Sequence, residues 1–394
     1  MPETDQPEIR GPHLPESSER PDVRSVAPGE EIVVPILPSS PRYNLRGVFV
    51  GSDGLRAGWS LLLYVVLLAA LLAGCRFLVY SSHHHAAVAQ PNAATQSKPQ
   101  SSKPSVPAPS VIMPAKAVLL GEGTALLSVL IATWLMGKIE HRPASVYGLG
   151  GKRRLPNLLA GLAWGVALLS LLVFSLRACG LLVFDARQLF GVSAFRYGAI
   201  WLSGFLLVGF FEEYLFRGYL QFTLARGFNE IYGWLHTRYS CTQDARRIGI
   251  NAPGFWTAAL LLSFGFGFSH RTNLGESPIG LLAAALIAVV FCLSLWRTGS
   301  LWWAIGFHAA WDWAQSFLFG VADSGIMIQG HLFATHPAGR ALFSGGLTGP
   351  EGSLFILPIV AATAAVIVLT LPSVHPGGPL STTHTRTAAG LDLP

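Results

Sequence analysis

The chain has 394 residues, 51% of them hydrophobic and 12% charged, and a mean hydropathy of +0.46. About a quarter of an ordinary soluble chain is charged, so this composition excludes a water-soluble globular domain and points to a protein embedded in lipid. The net charge of +6 is spread between apolar runs rather than gathered into a stripe, which sets nucleic-acid binding aside and puts the basic residues where topology determinants belong.

Residues 1–58 read as a disordered cytoplasmic tail, rich in Pro, Glu, Ser and Arg and without periodicity. The first apolar run, "WSLLLYVVLLAALLAGCRFLVY" at 59–80, follows that long polar tail and lacks a small-residue cleavage site. It therefore reads as a retained helix rather than a signal peptide. Residues 81–114 form a Pro/Ser-rich linker. Its His83, His84 and His85 are a metal-binding candidate, but no other ligand type accompanies them, and a wet juxtamembrane linker is the simpler reading.

Further runs, most of them close to the ~20 residues needed to cross the bilayer core, fall near 115–136, 157–176, 197–223, 255–271, 278–297, 301–319 and 354–371. With the first run, these predict an all-α polytopic transmembrane helix bundle of about eight spans. Residues 115–320 form its core, 321–353 a Gly-rich loop, and 372–394 a disordered tail. Between spans, 225–253 is too long for a tight turn and mixes aromatics with charges; it reads as an interfacial helix or as a lid.

Lys138, Arg142, Lys152, Arg153 and Arg154 share one side of an eight-span bundle with Arg226, Arg238, Arg246 and Arg247 and with Arg42, Arg46 and Arg56. The positive-inside rule then puts both termini in the cytoplasm of a multi-pass protein, in the plasma membrane by expectation. Cys75, Cys179, Cys241 and Cys292 have no C-x-x-C spacing and read as small buried hydrophobes.

Ionisable groups inside such runs carry the functional signal, because a charge at a helix centre costs at least ~2.5–3.5 kcal/mol. In "GFFEEYLFRGYL", Glu213 and Arg217 are four apart, share a helix face and neutralise one another. Glu212 lies about 100° round the helix and is left for another partner. "FGFGFSH" places Phe266 and His270 four apart, and "GFHAAWDW" does the same for His308 and Asp312. Singly, each histidine has an ordinary packing explanation. Together, Glu212, Glu213, Arg217, His270, His308 and Asp312 form a cluster able to activate water and polarise a carbonyl, or to ligate a divalent metal.

These stretches resemble the CAAX-protease and bacteriocin-processing family of intramembrane endopeptidases, also called the Abi family, whose best-known members are type II CAAX prenyl endopeptidases. "EEYLFR" matches its E-E-x-x-x-R motif, "FGFSH" its F-x-x-x-H and "HAAWD" its H-x-x-x-N/D, over roughly residues 115–320. The resemblance implies a helical-bundle peptidase acting on a peptide or protein substrate at the membrane, C-terminally modified or otherwise membrane-associated. It implies that Glu212 is the general base, that His270 holds the attacking water, and that His308 with Asp312 stabilises the oxyanion. Glu213, Arg217 and Phe266 take supporting roles.

Asp at 312 departs from Asn: an ionised carboxylate only accepts hydrogen bonds, so Asp312 is either protonated or orients an imidazolium at His308, and the second is preferred. A metal such as Zn is left open, with Glu212, His270 and His308 as its ligands, although the strong H-E-x-x-H zinc signature is missing. Two other readings use the same buried charges: an ion- or proton-coupled transporter, and a non-catalytic scaffold or immunity protein.

Overall fold

The computed structural model describes residues 46–51, 54–88, 112–151, 153–239 and 251–373. The tail before residue 46, most of the Pro/Ser-rich linker, residues 240–250 with Cys241, Arg246 and Arg247, and the C-terminal tail lie outside the described residues. So do the side chains of His83, His84, His85 and Arg238.

Each apolar run becomes a helix. In chain order these are α1 (Ala57–Val88), α2 (Ala115–Ile139), α3 (Arg154–Ala178), α4 (Gly191–Glu213), α5 (Gln221–Tyr239), α6 (Asn251–Ser269), α7 (Pro278–Thr298), α8 (Trp302–Trp313) and α9 (Ile356–Thr370). α4 and α5 are one continuous rod joined by a π-helical segment, Tyr214–Leu220, and α8 is prolonged by a second one, Ala314–Leu318. Among the described residues six helices are long and apolar enough to cross a membrane by length and composition, the α4–α5 rod counting as one; α8 and α9 are shorter. On their outer faces Leu62, Val65, Phe174 and Phe264 stand exposed, as lipid-facing side chains would. The chain is thus an all-α polytopic bundle.

Local sequence explains the element ends. α7 starts at Ser277-Pro278, where the Ser277 hydroxyl accepts from the Gly280 N–H at 3.0 Å and Pro fills the first turn, and it stops at Gly299 in the left-handed region. α1 runs on through 81–88, into the segment read as linker. α5 continues α4 through the π segment, 214–239 having no proline to stop it, and so takes up the first part of the 225–253 stretch, whose residues 240–250 lie outside the described residues.

The Gly-rich loop is anchored at several points. Within it β3 (Met327–Ile328) pairs in parallel with β1 (Ile112–Met113), and β4 (Phe333–Pro337) pairs antiparallel with β2 (Leu182–Arg187). The Trp201 indole of α4 donates to the Gln329 carbonyl at 3.0 Å, holding the same loop to the bundle. Gly320 has φ +61, and a Cβ there would overlap the Phe333 carbonyl, so only glycine lets the chain leave α8 on this path.

α8 is squeezed between α3 and α4. Gly161 and Gly165 of α3, four residues apart, lie on the Trp303 and Phe307 carbonyls, and Gly306 of α8 lies on Leu158. A small-x-x-x-small face of this kind lets helix backbones touch where lipid supplies no hydrophobic drive. On the other side a Cβ at Gly209 of α4 would lie 3.1 Å from both the Ile305 carbonyl oxygen and the Ala309 nitrogen, so glycine brings the two backbones close. That approach, one turn before Glu213 and beside His308, sets the two charged motifs against one another. Gly161→Ala is expected to destabilise the bundle by about 1–3 kcal/mol through overpacking, read as a lower denaturation midpoint in detergent. Gly265→Ala, which meets open space, is the control; equal midpoints for the two variants would refute the packing argument.

Candidate active site

Glu212 and Glu213 end α4, and the π segment begins at the next residue. Asp312 likewise sits two residues before the π segment that follows α8. π turns widen a helix locally and are frequent at functional sites. Arg217 remains within reach of Glu213 across the wider turn: its Nη1 donates to Glu213 Oε1 at 2.8 Å, with both side chains buried.

Glu213 does more than neutralise Arg217. The same Oε1 lies 3.0 Å from Nδ1 of His308, so a fully buried carboxylate holds one ring nitrogen. The other nitrogen, Nε2, faces Glu212 Oε2 at 3.7 Å and Asp312 Oδ2 at 3.5 Å. An imidazole held at Nδ1 by a carboxylate has its ring plane and its outward nitrogen fixed. The orienting group on His308 is thus Glu213, whereas Asp312 lies on the same side as Glu212, at the cavity-facing nitrogen.

His270 lies in the 3₁₀ turn His270–Thr272 that closes α6. Its Nδ1 donates to the Phe266 carbonyl at 2.8 Å, the ordinary i to i−4 reach at a helix end, which leaves Nε2 as the acceptor nitrogen. Phe266 explains the spacing of its motif twice over. Its carbonyl holds His270, and its ring lies 4.4 Å from the Arg217 guanidinium and 4.9 Å from the His270 ring. Phe291, 5.7 Å from the same guanidinium, also flanks it and lies 5.9 Å from the His308 ring. The Arg217 charge is thereby kept behind Glu213.

Glu212, His270, His308 and Asp312 all line one cavity of about 380 Å³, enclosed by α2, α4, α6, α7, α8 and α9. Glu213 and Arg217 are not part of its wall. The wall is apolar at Val118, Phe205, Ile287 and Ile359, and polar near the motif residues. Three carboxylates that sequence reasoning missed also face it: Glu122 of α2, and Asp323 and Glu351 of the loop. Glu122 carried a readable signal, a lone acid inside an apolar span. Asp323 and Glu351 carried none, since acids in a Gly-rich loop ordinarily face solvent. Glu351 accepts from both the backbone N–H and the hydroxyl of Ser324. The Ser316 hydroxyl donates to Asp323 at 3.4 Å.

Among the described residues no group of three or more His, Cys, Asp or Glu side chains is placed to hold a metal ion. The Nδ1 atoms of His270 and His308 are both taken by protein acceptors, which fixes each ring and turns its Nε2 outward.

Carboxyls in the loop, and Glu276 beside it at Thr348, are pushed upward. Burial, then the charge of Glu351, raises Glu276 from 4.5 to about 7. Burial, then Asp312, raises Asp323, and burial raises Glu351 against the hydrogen bonds from Ser324. A carboxyl raised in the folded state keeps its proton where the unfolded segment has lost it. For Glu276 that share of stability is whole below about 4.5 and is lost as pH rises through about 7, and for Asp323 and Glu351 it is lost in the same direction. Amides of 320–353 are therefore expected to exchange faster near pH 8 than near pH 5, after correction for intrinsic rates; unchanged or greater protection near pH 8 would count against this.

The chain thus places a Glu/His/Asp cavity inside a polytopic helical bundle. Residues 194–314 match the family model described as type II CAAX prenyl endopeptidase Rce1-like. The match covers just under a third of the chain and takes in all three motifs, from early α4 to just past Asp312. It supports a CAAX-type intramembrane protease in general, and with the six apolar helices it marks an integral membrane protein. No curated protein and no solved structure matches the chain.

Proposed function

We propose that the chain is an intramembrane endopeptidase in which Glu212 activates water inside the cavity. The observation that carries this is the division of labour around His308: Glu213 holds Nδ1, and Nε2 faces the cavity beside Glu212 and Asp312. Glu212 takes a proton from water and the resulting hydroxide attacks the substrate carbonyl. His308, as an imidazolium balanced by these carboxylates, donates Nε2–H to the oxyanion that forms. The tetrahedral intermediate then collapses, the C–N bond breaks, and Glu212 returns the proton to the leaving amine. The acceptor nitrogen of His270 holds the attacking water. Asp312 keeps His308 charged and receives a donor from the substrate.

Every step uses the chain's own groups. Peptide hydrolysis by the purified protein is therefore expected to survive a chelator and to fall by about 10²-fold or more in His270→Ala. Loss of activity on chelation, restored by zinc, would replace this mechanism with a metal-dependent one. Cleavage unaffected by His270→Ala would remove that residue from it.

A further inference from the structure

The charge balance of the cavity wall is one-sided. Five carboxylates face it, Glu122, Glu212, Asp312, Asp323 and Glu351, and its basic lining among the described residues is His270 and His308. Arg217 does not offset them, being buried, paired with Glu213 and enclosed by Phe266 and Phe291. Asp312 is 93% buried by its 7% exposure, and its nearest donor is His308 Nε2 at 3.5 Å. Among the described residues it accepts no hydrogen bond. A carboxylate so deeply buried and so thinly satisfied, at the wall of an open cavity, calls for a donor from outside the chain.

We propose that the cavity selects a peptide carrying a cationic side chain, Lys or Arg, close to the scissile bond, received by Asp312, Asp323 and Glu351. This rests on the peptidase reading of the cavity and adds its substrate class. The apolar wall at Val118, Phe205, Ile287 and Ile359 suits the aliphatic stem and neighbouring apolar residues, and the carboxylates suit the charged head. An acidic side chain would meet like charge at each of these carboxyls that is ionised and would offer none of them a donor. Asp323 and Glu351 lie in the 320–353 loop, outside the three motifs, so recognition is separable from the chemistry. Burial keeps both carboxyls inclined to hold their protons; an arriving cation favours the ionised form, so binding releases protons to solvent.

The test measures binding of three acetylated hexapeptide amides to the full chain in nanodiscs, identical except for Lys, norleucine or Glu at one central position. Charge-assisted hydrogen bonds in a desolvated site lead to an expected Lys-over-norleucine preference of about tenfold or more, with the Glu peptide weakest. Asp323→Asn and Glu351→Gln should each shrink that preference severalfold, and Asp323→Glu should retain it, separating charge from fold. Equal binding of the three peptides, no measurable binding of the Lys peptide, or a preference that survives the double variant would each overturn the proposal. Cleavage is scored separately. A Lys preference without cleavage keeps the site and retires the peptidase reading, whereas cleavage without a preference does the reverse.

Discussion

Glu212→Gln is expected to lower peptide hydrolysis by about 10²–10⁴-fold, the usual contribution of a positioned general base, while the protein stays folded. Glu212 is the one member of the glutamate pair that reaches the cavity; its side chain is 23% exposed, whereas that of Glu213 is fully buried. Arg217 is occupied by Glu213, so Glu212 keeps its charge available for a proton from water. The amide of Gln has the same shape but cannot take that proton. Because His308, the charged neighbour of Glu212, keeps Glu213 and Asp312 as partners, the denaturation midpoint should move little. Activity within about threefold of the parent would remove Glu212 from the chemistry, since that ratio is worth under about 1 kcal/mol of barrier.

Arg217→Ala carries the second large effect, this time on stability. It leaves Glu213, at 0% exposure, without the guanidinium that donates to it at 2.8 Å. Removing one partner of a buried pair typically costs about 3–5 kcal/mol, because the other charge is left in a low-dielectric interior. The rings of Phe266 and Phe291 also lose the cation that they enclose. Replacing both partners by neutral groups of similar volume, Glu213→Gln with Arg217→Met, should recover much of that stability. Activity should stay low in the double variant, because the group holding His308 Nδ1 has lost its charge. Recovery of both stability and activity would show that Glu213 only balances a charge and does not position His308.

The sequence made the bundle legible because a bilayer demands long apolar runs, and each of the eight runs became a helix. The Glu213–Arg217 pair was legible for a similar reason: few arrangements make two charges tolerable in hydrocarbon, and a four-residue spacing is the commonest. The π turns were not legible. Nothing in "YLFRGYL" or "AQSFL" distinguishes a π segment from an α one by periodicity, yet these turns follow both charged motifs.

The second partner of Glu213 was equally hidden. Its bond to His308 depends on the close approach of α4 and α8 at Gly209, and a packing distance leaves no trace in periodicity. The contributions of Asp323 and Glu351 depend on a loop folded over the cavity by β3, β4 and the Trp201 hydrogen bond. Short strand pairings between distant segments, such as Ile112–Met113 with Met327–Ile328, are invisible without the tertiary fold.

The central claim, that this cavity hydrolyses a peptide bond with water activated at Glu212, is most directly tested in H₂¹⁸O. Wild-type protein and Glu212→Gln, both in nanodiscs, are incubated with a peptide library that includes basic and C-terminally lipidated members, and the products are read by mass spectrometry. The expected result is a new C-terminus carrying a single ¹⁸O from the wild type and none from the variant. Products formed equally by both proteins, or no cleavage of any library member by the wild type, would contradict it.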